Sequence, residues 1–359
     1  MKISFFDDEP EIYPLQYGGK ARTIINLAKE FTKHDEVEKV TILSRSIVSS
    51  KKEFKKGGIN FVVLDDDNTF SRIKRECEDT DILNIHCCSF TFPFIESKAK
   101  KFYFLHDVLI ATADKGSHMD KSLGGNFDYV IAPSVFAKEK YEANKKILDG
   151  KNKCVVIPRN INEELFYSVP KEKIINNKNT PKLLKKVIKK YKKILFFPSR
   201  PIAEKGGAYM KEVAKQLKKD KACIIGPFDG INKLPKNCIN TRWISSKDLK
   251  YYYSISDATL NFSELPESFS QICIESVCCK TPIVCFKSGN IPNFSKESNA
   301  ILLCDKKLES ILKKIDEAVK MKKDEQKMEE EKNKILELYK TKIIIEKYIK
   351  LYKKCLGGK

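Results

Sequence analysis

Short apolar runs alternate with amphipathic stretches along most of the chain. Ile3 to Phe6, Val40 to Leu43, Phe61 to Leu64, Ile82 to Ile85, Phe102 to Leu105, Tyr129 to Ile131 and Val155 to Ile157 are near-continuous apolar runs. That is the pattern of parallel strands covered on both faces. Gly18 to Phe31 instead carries Ala21, Ile24, Ile25, Leu27, Ala28 and Phe31 in a helical stripe. Strands alternating with helices predict a doubly wound α/β domain. A second series begins at Ile194 to Phe197 and continues with Ala222 to Ile225, Asn240 to Trp243, Ala258 to Phe262, Ile283 to Phe286 and Ala300 to Leu303. Helices fit between these strands at Gly207 to Leu217, Lys247 to Ser254 and Gln271 to Cys279.

Between the two series the chain changes character. Ser168 to Thr180 is polar, with Pro170 and Pro181 nearby, and then Leu183, Leu184, Val187 and Ile188 are interleaved with lysines. This predicts a linker followed by a basic amphipathic helix that packs its apolar residues and leaves its lysines solvated. From Leu308 the chain reads as helical. Met321 to Lys334 is mostly lysine and glutamate, a solvated surface. Ile335 to Leu356 regains apolar periodicity and should dock. The predicted organisation is an N-terminal domain over 1–168, a linker and basic helix over 169–192, a C-terminal domain over 193–330 and a helical tail over 331–359.

The length of 359 residues favours two domains. The 12 cysteines form no Cys-x-x-Cys pair and sit mostly in apolar runs, so they read as buried free thiols in a reducing compartment. Four histidines without cysteines at ligand spacing argue against a structural zinc. The first apolar stretch is too short for a signal peptide, and no run spans a membrane. The expectation is a cytoplasmic protein. The net charge of +20 suits an anionic partner. Its even spread along the chain reads as lysine-rich compositional bias rather than one basic patch.

Ligands of such domains bind beyond the C-terminal ends of the strands, and the candidates follow strands. Gly18 and Gly19 open a helix, where backbone N–H groups can meet a phosphate. Arg200 and Lys205, with Gly206 next, suit a diphosphate, the guanidinium as a fork and the ammonium as a point charge. His106 ends another strand and can meet a sugar hydroxyl; His86 reads as structural. Glu267 and Glu275 stand eight apart, which for a helix beginning near Ser268 puts them on one side. Two carboxylates, which only accept hydrogen bonds, suit a hydroxyl-rich ligand. Asp65, Asp66 and Asp67 read as a solvated loop.

These motifs, in order, resemble the retaining glycosyltransferases of family 4. Tyr17-Gly18-Gly19 is similar to the family's glycine loop, and Phe104-Leu105-His106-Asp107 to its His-Asp strand end. Asp128 to Ser134 and Val155 to Pro158 match further strand ends. Arg200 and Lys205-Gly206 match the basic pair on the donor diphosphate. Glu267 to Glu275, followed by Thr281-Pro282, matches the E-x7-E signature. Departures are Arg159 after Pro158, Ser268-Phe269-Ser270 for Gly-Phe-Gly, Lys280 for glycine, and Asn293 for glutamate. The resemblance implies the GT-B fold, two Rossmann-like domains facing across a cleft with a C-terminal helix crossing back. It implies transfer of a hexose, with retention, from a nucleotide diphosphate sugar to a glycan, glycolipid or glycoprotein hydroxyl. GDP-mannose and UDP-glucose are the leading donors.

By the same resemblance, His106, Arg200, Lys205 and Glu267 serve catalysis. Gly18, Gly19, Arg200, Lys205, Phe269, Ser270 and Glu275 bind the donor. No cofactor is tightly bound and no divalent metal is required. Another enzyme of the fold, such as a nucleotide-sugar epimerase or an inverting transferase, is the alternative. A nucleic-acid-binding role is disfavoured, because the chain holds no such motif. Contact with an anionic membrane surface and self-association stay open.

Overall fold

A computed structural model of the chain describes residues 1–7, 18–45, 53–64, 69–87, 97–106, 127–144, 153–178, 180–199, 202–217, 221–231 and 233–357. The chain forms two units, one of Met1–Asn160 with Thr341–Lys359 and one of Ile161–Lys340.

In the first unit, strands β1 (Lys2–Asp7), β2 (Lys39–Arg45), β3 (Glu53–Lys56), β4 (Ile59–Leu64), β5 (Ile82–Cys87), β6 (Lys100–Phe104), β7 (Tyr129–Ala132) and β8 (Lys153–Val156) form one sheet. Their order is β3-β4-β2-β1-β5-β6-β7-β8. All pairs are parallel except β3 with β4. The periodicity does not show β3, because only Phe54 of its Glu-Phe-Lys-Lys is partly buried, stacked on Phe61, while its other three residues are exposed at the sheet edge. Helix α1 (Gly18–Phe31) packs its apolar stripe on one face of the sheet, as the sequence predicts. The other face is covered by α2 (Thr69–Glu78) and α3 (Val135–Asn144), which contribute Ile73, Cys77, Ala137 and Tyr141 to its core. Ser134 caps α3, its Oγ accepting from the Ala137 N–H at 3.0 Å, which accounts for the Pro-Ser strand end.

The second unit holds six parallel strands: β9 (Lys193–Phe196), β10 (Ala222–Gly226), β11 (Cys238–Asn240), β12 (Ala258–Asn261), β13 (Ile283–Phe286) and β14 (Ile301–Cys304). Their order is β11-β10-β9-β12-β13-β14. The order reverses between β9 and β12, the switch point at which open α/β sheets bind ligands. Helices α4 (Lys171–Asn176) and α5 (Lys182–Lys190) join this unit. Ile174, Leu184 and Val187 enter its core, and Leu183 and Ile188 pack beside them. The segment expected as a linker is therefore part of the second unit, whose boundary falls at Asn160/Ile161.

The remaining helices are α6 (Gly207–Leu217), α7 (Leu249–Ile255), α8 (Gln271–Cys278), α9 (Ile291–Glu297), α10 (Leu308–Lys322), α11 (Glu325–Tyr339) and α12 (Thr341–Cys355). The expected docking tail splits at Lys340, which has extended backbone. Ile335 and Tyr339 stay in the second core. Ile344, Ile345, Tyr348, Ile349 and Tyr352 pack in the first. So it is Thr341, not residue 331, that begins the return to the first unit. The lysine- and glutamate-rich stretch is also less solvated than its composition suggests. Met328 and Glu331 are buried, and Glu331 accepts hydrogen bonds from Ser298 Oγ, the Asn299 N–H and Lys334 Nζ.

Candidate active site

Because the strands of the second sheet are parallel, the loops after β9, β12 and β13 leave it at one edge. There they are tied to one another. The first loop ends in a short 3-10 turn, Ala203–Lys205, closed by Gly206 in the left-handed region (φ 78°). A Cβ at Gly206 would lie 2.3 Å from the Phe262 carbonyl oxygen, so a side chain is excluded where this loop crosses the end of β12. The Glu264 N–H donates to the Glu204 carbonyl at 2.9 Å. Lys205 Nζ then reaches Glu267 Oε1 at 2.6 Å and Ser263 Oγ at 3.4 Å. The pair is partly exposed, with side-chain accessibilities of 32% and 19%.

Glu267 is positioned from below. Gly289 (φ 57°) would place a Cβ 2.2 Å from the Glu267 carbonyl oxygen, so only glycine fits. The Asn290 N–H donates to that same oxygen at 2.8 Å, and Ser288 Oγ donates to the Leu265 carbonyl at 2.6 Å.

The two signature glutamates are not two turns of one helix. Ser270 adopts φ 61°, so α8 begins at Gln271 and Glu267 stays in the loop ahead of it. Glu275 is 1% exposed within α8, and its Oε2 accepts from the buried Tyr253 hydroxyl at 3.0 Å. Ser270 Oγ accepts from Asn261 Nδ2 at 3.0 Å. The Phe269 ring is in the core, edge-on to Phe294 and Tyr339, which leaves only its backbone to a ligand. Arg200 lies outside the described residues.

The first unit gathers a second group at the ends of β1, β5 and β6. Gly19 lies in the first turn of α1 with ordinary φ, and a Cβ there would meet Arg159 NH1 at 3.6 Å, normal contact. Gly18 opens the same helix. Lys20 Nζ reaches the fully buried Asp7 at 3.1 Å. His106 Nε2 lies 2.7 Å from His86 Nδ1, and Arg159 NH2 lies 3.1 Å from His106 Nδ1. A guanidinium only donates, so His106 Nδ1 accepts. The proton of neutral His106 then sits on Nε2 and is donated to His86. His86 keeps its own on Nε2, which is buried without a hydrogen-bond partner among the described residues. Desolvation, reinforced by Arg159 and Lys20, holds both rings well below the usual imidazole pKa. Both ring nitrogens of His106 are therefore engaged inside the protein, and a substrate hydroxyl would have to displace Arg159 or His86 to reach it.

Sequence reasoning treated Arg159 only as a departure from a pattern and passed over Asp7, Lys20, Asn261 and Ser263. A polar residue closing an apolar strand run, as Asp7 and Asn261 do, was the available signal. Among the described residues no group of three or more His, Cys, Asp and Glu is placed to hold a metal ion. No described helix is long and apolar enough to cross a membrane.

The topology and site place the chain among known folds. Residues 180–335, all in the second unit, match the family model of glycosyl transferases group 1. Sucrose-phosphate synthase from Thermosynechococcus elongatus superposes with TM-score 0.76 at 14% identity, covering 99% of each chain. The chain has the GT-B fold. A second GT-B structure, Anabaena HepE in complex with UDP and glucose, gives TM-score 0.74 at 14% identity over 98% of this chain and 99% of that one. A glycosyltransferase from Rickettsia africae gives 0.71 at 18% identity over 99% and 98%. Comparison with curated protein sequences finds no match.

Proposed function

We propose that the chain is a retaining glycosyltransferase that moves a hexose from a nucleotide diphosphate sugar to an acceptor hydroxyl. The observation that carries this is the Lys205–Glu267 pair at 2.6 Å, held by loops after neighbouring strands at the switch point of the second unit. It presents a cation for a diphosphate beside a carboxylate for sugar hydroxyls. Each satisfies the other until a donor takes both. In this reading Lys205, with Arg200, stabilises the charge that builds on the departing diphosphate, the electrostatic role that usually dominates. Glu267 accepts from the transferred sugar. Glu275 orders the ribose end of the site and Ser270 supplies backbone N–H. The acceptor attacks on the face the diphosphate leaves, and the departing phosphate oxygen takes the acceptor proton. Gly18, Gly19 and His106 in the first unit complete the expected set.

GDP-mannose and UDP-glucose are the donors to test first. The presence of UDP and glucose in a structure of the same fold supports the second. The reading requires no tightly held divalent metal.

Calorimetric titration with GDP-mannose, UDP-glucose, UDP-N-acetylglucosamine and ADP-glucose, with and without magnesium, tests it. The expected result is micromolar binding of one donor that magnesium does not change. Absence of binding by all four would overturn the reading. Release of an epimerised nucleotide sugar, or a product of inverted configuration, would replace it with another chemistry on the same fold.

A further inference from the structure

Trp243 is the one tryptophan of the chain. The apolar pattern places it in a strand, but β11 ends at Asn240 and Trp243 stands in the loop beyond, 59% exposed. The loop is shaped there. The Thr241 N–H donates to the Gly226 carbonyl at 2.8 Å. Asn240 Oδ1 accepts from the Arg242 N–H at 2.8 Å and from the Phe228 N–H at 2.9 Å, tying the loops after β10 and β11 together. Arg242 is held at φ 56°, an uncommon conformation for a side-chain-bearing residue, and the indole follows it.

β11 is parallel to β10 and β10 to β9, so this loop leaves the sheet at the same edge as the Lys205 loop. It lies two strand spacings across, about 10 Å. Five large hydrophobic side chains of the second unit are exposed among the described residues, and three of them, Ile202, Trp243 and Leu265, lie on loops at this edge. Between Lys205 and Trp243, β10 ends in Gly226. A Cβ there would lie 2.4 Å from the Phe197 carbonyl, so the strand end carries no side chain.

We infer that Trp243 stacks on the base of the nucleotide donor. The inference rests on the proposed function and extends it to the nucleoside end. A diphosphate at Lys205 has two ends. The sugar end belongs with Glu267, on the side of β12 and β13. The nucleoside end is left the direction of β10 and β11, across the bare end of β10 toward the exposed indole. A flat aromatic face binds any base by stacking and prefers none strongly. Discrimination among bases therefore belongs to hydrogen-bonding groups elsewhere on the edge, and the Trp243 contribution should be similar for uracil, guanine and adenine.

The single tryptophan makes the test direct. UDP, GDP and ADP are titrated into the full chain while tryptophan fluorescence is followed, with calorimetry in parallel. The expected result is saturable quenching by the nucleotide that calorimetry shows to bind, with the same Kd. Trp243→Ala should weaken that nucleotide about 5- to 150-fold, leave inorganic pyrophosphate affinity unchanged, and be largely rescued in Trp243→Phe. Wild-type nucleotide affinity in Trp243→Ala would overturn the stacking role and leave the proposed function standing. Equal losses for nucleotide and pyrophosphate would show that the indole only supports the loop, which overturns it too. Failure of every nucleotide to bind the wild-type chain by calorimetry would remove the proposed function, and this inference with it.

Discussion

At the strand ends of the second unit an ammonium faces a carboxylate across two loops, partly open to solvent. At the strand ends of the first unit two neutral imidazoles are lined up beneath a guanidinium, with a buried carboxylate answered by Lys20. Both units are sheets of mostly or wholly parallel strands wrapped by helices, and both bring their polar residues to the same edge. The difference lies in what those residues do when no ligand is present. Lys205 and Glu267 have opposite charge and shared access, so a ligand of mixed charge and hydroxyl character can replace each partner by something of its own kind. His106 and His86 use their nitrogens on each other and on Arg159, so the first unit presents a preset arrangement rather than a pair awaiting exchange. A shared fold thus gives one edge suited to charge stabilisation and another suited to holding geometry.

Four measurements break or sharpen that contrast. The largest effect belongs to Gly289→Ala. It forces a left-handed φ on alanine and drives a Cβ into the Glu267 backbone, so unfolding in urea should show a loss on the order of 3–5 kcal/mol. A wild-type midpoint would mean that the loop yields and does not hold Glu267.

Next is Lys205→Ala. Its partly exposed ion pair contributes little to folding, so stability should stay within about 1 kcal/mol. Transfer should fall about 30- to 1000-fold, the worth of about 2–4 kcal/mol in the transition state. Unchanged turnover would remove the diphosphate role from Lys205.

The first unit should instead respond through pH. His86 and His106 have folded pKa values below the ordinary 6.5. The stability tied to their neutrality is present above that pH and is lost as pH falls through and below it. Between pH 6.5 and 5 the wild-type chain should lose on the order of 1–3 kcal/mol more than a His86→Asn, His106→Asn double variant. NMR titration should find both rings neutral through that range. If either titrates normally, the relay beneath Arg159 is wrong.

The smallest effect is that of Gly19→Ala. Space exists for the methyl, and replacing glycine within a helix should stabilise by about 0.5–1 kcal/mol. If a donor oxygen approaches the backbone here, transfer falls while stability rises. Unchanged transfer would separate the first turn of α1 from catalysis.

The strands and α1 were legible because buried parallel strands must be apolar on both faces, so Ile283 to Phe286 and Gly18 to Phe31 announce their own limits. The edge strand Glu53–Lys56 was not, because Phe54 alone is partly buried there and one apolar residue makes no pattern. The unit boundaries were misread for a related reason. Polarity at Ser168 to Thr180 suggested a linker, yet Ile174 enters the core, Val169 packs against it, and the Val169 N–H donates to Ser254 Oγ. Among the candidate site residues, Glu267 and Lys205 stand out in the sequence by strand-end position and chemistry, but their pairing depends on how three loops cross. The helical spacing of Glu267 and Glu275 failed at Ser270, whose positive φ no periodicity reveals. Arg159 stayed hidden because its partner is 53 residues away in the chain.

The thiols offer a different use of the structure. Nine of the ten free cysteines among the described residues are buried, and Cys355 is half-buried. Burial pushes Cys77, Cys223, Cys238 and Cys304 up to about 12, so almost none of these thiols is thiolate at neutral pH. Among these ten thiols a reagent should therefore reach Cys355 first and the deeper sulfurs only when a core opens. The rate at which mass is added after that first step reports how often each sheet parts from its helices. Because Cys77 and Cys154 belong to the first unit and Cys223, Cys278 and Cys304 to the second, peptide mapping of the labelled sites would give each unit its own opening free energy without any denaturant.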